Sequence, residues 1–346
     1  MIRRLILLLA VAACGNGDGT GPRPGGASTI VFVSAHADSA HEQLYALDLD
    51  GSAPRALTSS QANHEQPTVS PDGRQVLFVD YGDGPEPGGR YLVNLDGSSL
   101  RPTTVGLLPV WSPAGSRVVS LAVGGDTNPQ VSSLLVSNPD GSAPIYTVAD
   151  NNENTLPTWS PDGTRLAYQK VRLDVTTPIQ IWVVNADGTG NHVVVADSTW
   201  STSPSWSPDG RWIAFIGAFR PDGSNLTLVA PDGSDRKALP GSCEDGVQPR
   251  WSPDATLIAC VRQAITPASY RELLITRADG GGASTPLFPQ AHLEQLNWSA
   301  DRRAILFEGV GDHGYDARVI RVGDSTSTNL THDSYSAFSP RWAAAR

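Results

Sequence analysis

An all-β fold is what this 346-residue sequence predicts, and three observations carry it. Hydrophobic residues make up 39% of the chain and charged residues only 17%, enough apolar material for a sizeable core. Thirty-four glycines and 27 prolines punctuate it at short intervals, which calls for many turns and leaves little room for helices. One short pattern also returns: TVSPDG at 68–73, VWSPAG at 110–115, TWSPDG at 158–163, SWSPDG at 205–210, RWSPDA at 250–255, NWSADR at 297–302 and RWAAAR at 341–346. Its anchors Val69, Trp111, Trp159, Trp206, Trp251, Trp298 and Trp342 are spaced by 42, 48, 47, 45, 47 and 44 residues, a length that suits four short strands with their turns.

Each piece of the unit has a physical reason. The stretch LPTWS alternates faces as a first strand. SPDG then turns the chain: Pro161 presets φ near −65°, Asp162 suits the next position, and Gly163 takes the positive φ that closes a hairpin. Asp72, Asp162, Asp209 and Asp254 therefore read as turn residues rather than catalytic acids. RLAYQK is a second strand, and the aromatic nine residues past the anchor recurs as Phe78, Tyr168, Phe215 and Phe307, giving way to Ser120 and Cys260 elsewhere. IQIWVVN is a third strand ending in NADG at 185–188, a turn repeated as NLDG at 94–97, NPDG at 138–141, APDG at 230–233 and RADG at 277–280. A short fourth strand follows, as in HVVVA or KALP. A single such sheet cannot cover its apolar faces, so Trp159 and its equivalents are expected to fill the wedges between neighbours.

The two ends of the array match. TIVFVS at 29–34, QLYALDLDG at 43–51 and PRALT at 54–58 supply strands two to four of a unit lacking its first strand, which SPRWAAAR at the C-terminus provides. Joining them removes exposed edges and predicts a monomeric seven-bladed β-propeller of four-stranded antiparallel blades over 29–346, one blade completed by both termini.

The run P-x-W-S-P-D-G, a strand, D-G and then L-T resembles the TolB-like (WD-type) β-propeller repeat across 29–346. The resemblance implies the scaffold. Family members with a separate N-terminal α/β domain have partnerships that do not transfer residue by residue, because 29–346 is taken up by the repeats.

The N-terminus MIRRLILLLAVAACGNGDG pairs Arg3 and Arg4 with an apolar run from Leu5 to Ala13. As a helix that run spans roughly 14 Å, too short for a ~30 Å hydrocarbon core, and it reads as a signal peptide over 1–13. Val11-Ala12-Ala13-Cys14 resembles the bacterial lipobox, which implies lipidation of Cys14, for example by palmitate; an ordinary secretory leader with an incidental cysteine is the alternative. Residues 14–28 read as a Gly-rich flexible tether. Gly15, in place of the aspartate that retains many lipoproteins at the inner membrane, favours the outer membrane, on its periplasmic or surface side. The formal charge of −10, two units more negative without Arg3 and Arg4, disfavours nucleic acid and anionic lipid surfaces.

Both tight turns of each unit lie at one end, so the longer loops gather at the other, where binding residues are expected. That end would carry His36, His64, Glu65, Tyr81, Glu153, Trp200, Glu244, His292, Glu294, His313, Tyr315, His332 and Asp333. Aromatics beside acids suit glycan or peptide recognition. Histidines and carboxylates on converging loops also suit a divalent metal, although no HxH or HExxH spacing occurs, and no metal, cofactor or catalytic residue is assigned. DLDGS at 48–52 lacks the terminal acid of a calcium loop, GDSTS at 323–327 falls on a turn, and no G-x-S-x-G is present. The expected function is a lipid-anchored envelope module that binds proteins or glycans. The alternative is a metal-dependent polysaccharide lyase or hydrolase on the same scaffold, because seven-bladed relatives of the repeat include an oligogalacturonate lyase. Cys243, placed in the loop entering the Trp251 unit, and Cys260, on that unit's second strand, either bridge in an oxidising compartment or leave Cys260 as a buried free thiol.

Overall fold

The computed structural model describes residues 29–34, 41–49, 53–60, 62–82, 89–123, 131–172, 178–196, 200–220, 223–243, 248–263, 271–281, 285–290, 293–311, 314–324, 326–331 and 338–343. Among these the regular elements are all strands, 28 of them, and no helix is present. The chain divides into two compact units, one comprising Met1–Thr103 with Gln290–Arg346 and the other Thr104–Pro289. Each sheet is named here for the anchor residue on its first strand.

In the first unit, Phe338–Ala343, Thr29–Ser34, Gln43–Asp48 and Arg55–Ala56 lie side by side in that order as the Trp342 sheet. Its first two strands join opposite ends of the chain antiparallel, with Ile30 opposite Trp342 and Val31 opposite Arg341. The expected pairing of the terminal strands is thus present. The Val69 sheet is built from His64–Val69, Gln75–Asp80, Gly89–Asn94 and Arg101–Thr103, and the Trp298 sheet from Leu293–Trp298, Ala304–Gly311, Gly314–Arg321 and Thr328–Asn329.

In the second unit, the Trp206 sheet (Ser201–Trp206, Ile213–Arg220, Gly223–Val229, Arg236–Cys243) and the Trp251 sheet (Arg250–Trp251, Leu257–Gln263, Arg271–Arg277, Thr285–Gln290) keep the same order. The Trp111 sheet (Leu107–Trp111, Val118–Val123, Ser132–Ser137, Ile145–Val148) and the Trp159 sheet (Glu153–Trp159, Arg165–Val171, Gln180–Asn185, His192–Val195) depart from the expectation of separate sheets. A single parallel bridge between Ser132 and Glu153 joins them into eight strands.

The wedges are filled as the repeat demands. Phe78, Tyr168, Phe215 and Phe307 are fully enclosed, and Phe32 takes the same place in the Trp342 sheet, opposite Tyr45 as Phe78 is opposite Tyr91. Burying one such ring contributes about 2 kcal/mol. The anchors also clamp. Trp159 Nε1 donates to Val110 O at 3.0 Å, Trp251 Nε1 to Ser205 O at 3.0 Å and Trp342 Nε1 to Asn297 O at 3.2 Å, each reaching the first strand of the preceding sheet. The turn aspartates act as expected: Asp162 Oδ1 accepts from Ser160 Oγ at 2.5 Å and Thr164 N at 3.0 Å, while Gly163 sits at φ 69°.

Two expectations need correction. The first strands do not simply alternate. Gln66, Leu108, Leu156, Ser203, Gln295 and Ser339, each three residues before its anchor, have φ between 48° and 57°, and the ladder slips a register beside each. These are β-bulges, and the proline that follows most of them (Pro67, Pro109, Pro157, Pro204, Pro340) has no N–H to give the ladder. Cys243, in turn, is not in a loop entering the Trp251 sheet. It ends the fourth strand of the Trp206 sheet, paired with Ser224, because the chain continues its ladder that far before leaving.

Candidate functional site

The first unit gathers several of the expected residues at the end of the sheets away from the tight turns. His64 opens the first strand of the Val69 sheet, and its N–H donates to Glu42 O of the Trp342 sheet at 2.8 Å. Its ring is 2% exposed. Nδ1 lies 2.8 Å from Thr58 Oγ1, Nε2 lies 3.0 Å from Ser60 Oγ and 3.4 Å from Asp80 Oδ2, and Phe78 packs against the ring at 4.8 Å. Burial pushes the imidazole below the usual histidine range, against the opposing pull of Asp80. Enclosed in this way, His64 positions the 57–63 connection rather than meeting a ligand directly. Gln43 completes that work, its side chain donating to Ser60 O and Ala62 O while accepting from Ser60 N.

Around this buried post the accessible groups are aromatic and polar. Tyr81 is 46% exposed, its N–H held by Asn63 O and its hydroxyl 3.4 Å from Gln66 Nε2 on the bulge. Glu65 is half-buried on the same first strand, and Tyr315 packs against the cluster that includes Val31, Phe78 and Ala343. The bulge at Gln66 turns its amide toward Tyr81, a local consequence of the positive φ.

The second unit holds a polar centre that the sequence reading did not single out. Lys170, buried on the second strand of the Trp159 sheet, pairs with Asp150 and lies 4.3 Å from the centre of the Trp182 ring. Asn154 Nδ2 donates to Ser132 O at 2.9 Å and Asp150 Oδ1 at 2.9 Å. Partial burial opposes ionisation of Asp150, but hydrogen bonds from Asn154, Lys170 and Asn152 outweigh it and hold the carboxyl below its usual range. The signal for this centre was a lysine near the end of the second strand, at the repeat position where the Val69 sheet has Asp80. Glu153 begins the first strand of the Trp159 sheet, and Trp200, 59% exposed, directly precedes that of the Trp206 sheet.

Cys243 and Cys260 are joined in a disulfide with Cα atoms 5.9 Å apart, tying the fourth strand of the Trp206 sheet to the second strand of the Trp251 sheet. Glu294 lies on the first strand of the Trp298 sheet, opposite Glu308. Cys14, His36, Glu244, His292, His313, His332 and Asp333 lie outside the described residues. Among the described residues no group of three or more His, Cys, Asp or Glu side chains is placed to hold a metal ion.

A family model described as the TolB beta propeller domain matches residues 101–345. The Protein TolB homolog of Chlorobium luteolum is 31% identical over 155 residues, covering 44% of this chain and 34% of that protein. The chain thus spans about a third of the length of that curated relative. TolB from Acinetobacter baumannii superposes with a TM-score of 0.57 at 16% identity, over 91% of this chain and 66% of that one. An oligogalacturonate lyase in complex with manganese gives a TM-score of 0.65 at 15% identity, over 89% of this chain and 86% of the other. At these identities the structural likeness shows a shared fold and nothing more.

Proposed function

Because the chain belongs to the TolB beta propeller domain family, we propose that it is a binding and assembly module of the bacterial cell envelope. On this reading the seven anchor-bearing sheets are the seven blades of one propeller. Its partner is an envelope protein or a glycan, met at the end of the sheets opposite the tight turns. One contrast carries the reading. At the tight turns the same Ser, Asp and Gly chemistry recurs from sheet to sheet, as in Ser70–Asp72, Ser160–Asp162 and Ser207–Asp209. At the other end the sequence differs at every copy, and there Tyr81 and Trp200 stand in solvent. A scaffold repeated at one end and varied at the other is what a recognition surface requires. The lipid anchor at Cys14, following a 1–13 leader and a 14–28 tether, would hold the module at the outer membrane, and the disulfide accords with an oxidising compartment.

The lyase alternative needs a histidine-rich ligand set. Of that set, His64 has both ring nitrogens taken by Thr58, Ser60 and Asp80. The test is cross-linking in intact envelopes with Tyr81→Ala and Trp200→Ala beside the turn variant Asp209→Ala. The reading requires that at least one of the first two loses a cross-linked partner that Asp209→Ala keeps. Equal capture by all three sinks it. Loss of palmitate labelling and of membrane association in Cys14→Ala tests the anchor separately.

A further inference from the structure

The tight-turn end of the second unit contains a cleft that its repeat does not require. Arg165 at the start of a second strand, Arg211 and Trp212 beyond the neighbouring SPDG turn, and Asp232 and Asp235 on the next turn line it. The repeat offers comparisons for the two arginines, although Arg303, at Arg211's position in the Trp298 sheet, forms no ion pair among the described residues either. Arg74, at Arg211's position in the Val69 sheet, lies 3.9 Å from the carboxylate of its own turn residue Asp72. Arg117, at Arg165's position in the Trp111 sheet, reaches Ala143 O at 3.4 Å. Among the described residues neither guanidinium of this cleft forms an ion pair: the Arg165 guanidinium carbon instead lies 4.9 Å from the centre of the Trp206 ring, and Arg211 is exposed. Among the described residues the buried indole N–H of Trp206 has no acceptor, unlike those of Trp159, Trp251 and Trp342.

The acids opposite differ from each other. Asp232 spends Oδ1 on Ser234 N and Oγ at 2.9 and 2.7 Å. Asp235 stands at φ 34°, the positive-φ position that Ser99, Ala143 and Gly190 hold after the same turn in other sheets, and among the described residues no hydrogen bond engages its carboxylate. A guanidinium held beside an aromatic ring keeps its planar fork of donors for bidentate contact with a carboxylate. The facing aspartates and the net charge of −10 disfavour polyanions such as nucleic acid. We propose that this cleft binds an extended peptide segment carrying a carboxylate beside a basic side chain: Arg165 and Arg211 take the carboxylate, Asp232 and Asp235 the cation, and Trp212 packs against the chain between them. This site stands apart from the long-loop surface and does not depend on it.

The probe is the capped peptide acetyl-Ala-Glu-Ala-Lys-Ala-amide, titrated calorimetrically into the full chain together with its Glu-to-Gln and Lys-to-Gln forms. Arg211→Ala and Arg165→Lys should each weaken the charged peptide about tenfold. Asp235→Asn should weaken it similarly while making the protein indifferent to the peptide's lysine. Trp200→Ala should change nothing. Arg211 is exposed, so its truncation leaves the fold in place, and an unchanged Tm for each variant verifies this. The proposal is overturned by an absence of binding at millimolar peptide, by equal binding of the neutralised peptides, or by variants that bind as the parent does.

Discussion

Replacing Cys243 and Cys260 together by alanine removes the bond between the Trp206 and Trp251 sheets, and the cost can be worked from the structure. The cysteines are 17 residues apart in sequence, and chain entropy for a closed loop of that length gives about 3 kcal/mol. Divided by a melting entropy of about 2 cal/mol/K per residue for a chain of this size, the loss corresponds to a fall in Tm of about 5 °C. The site supplies a second reason to expect a measurable effect. Cys260 occupies the wedge position that Phe78, Tyr168, Phe215 and Phe307 fill elsewhere, and it packs with Leu228, Leu239, Ile258 and Leu274. Alanine leaves that wedge underfilled, so Cys243→Ala with Cys260→Phe should recover part of the lost stability. Thermal unfolding followed by circular dichroism, with a mass measurement of the parent under non-reducing conditions, makes the check. A parent mass with two free thiols, or a double-alanine variant melting within about 1 °C of the parent, refutes the reasoning.

Three further outcomes follow from the same geometry. Trp159→Phe should cost about 1 kcal/mol more than Trp206→Phe in denaturant unfolding, because the Trp159 indole N–H donates to Val110 O and that of Trp206 donates to nothing. Equal losses would show that the clamp adds nothing to packing. The lowered pKa of His64 means that the unfolded chain binds this proton more readily than the folded one. Stability from this group is therefore complete above the unfolded value near 6.5 and is lost as pH falls through that value toward the lower folded one; His64→Gln should flatten the slope of stability against pH in that window. Asp162→Ala strips the acceptor from Ser160 Oγ and Thr164 N in an exposed turn and should cost about 1 kcal/mol, with the spectrum of the folded protein unchanged.

The turns and the terminal pairing were legible because each depends on residues adjacent in sequence or on strands left over at the ends. Ser160, Asp162 and Gly163 each perform a local task, and a local task leaves a local signature. Ile30 opposite Trp342 was legible for a different reason, since an incomplete unit at each terminus has one economical solution. The bulges were missed, although Pro67, Pro109, Pro157 and Pro204 announced them: a proline inside a strand marks an edge or a bulge. His64 was read as a surface group because it follows a loop, yet it stands at the repeat position where Asn154 and Ser201 are also buried. Nothing in a single sequence reveals that Thr58 and Ser60 enclose both of its ring nitrogens, since that depends on how one sheet is set against the next.

A repeated chain carries its own reference state, which makes departures more informative than agreements. Ser120 stands where other sheets place an aromatic. Its hydroxyl accepts from Gly106 N at 3.0 Å, and a Cβ on Gly106 would meet Leu121 O at 2.3 Å, so backbone fills the space that a ring fills elsewhere. Cys260 solves the same packing problem with a covalent bond. Both departures are compensated nearby, and a compensated departure is a structural one. Arg165 and Arg211 differ in that Arg165 meets only the Trp206 ring and the field of its turn residue Asp162, while among the described residues Arg211 forms no ion pair. Two cations and two acids lining one cleft make a charge pattern that a ligand can match, and for that reason the cleft, rather than the Ser120 or Cys260 wedges, is the place to look for a ligand.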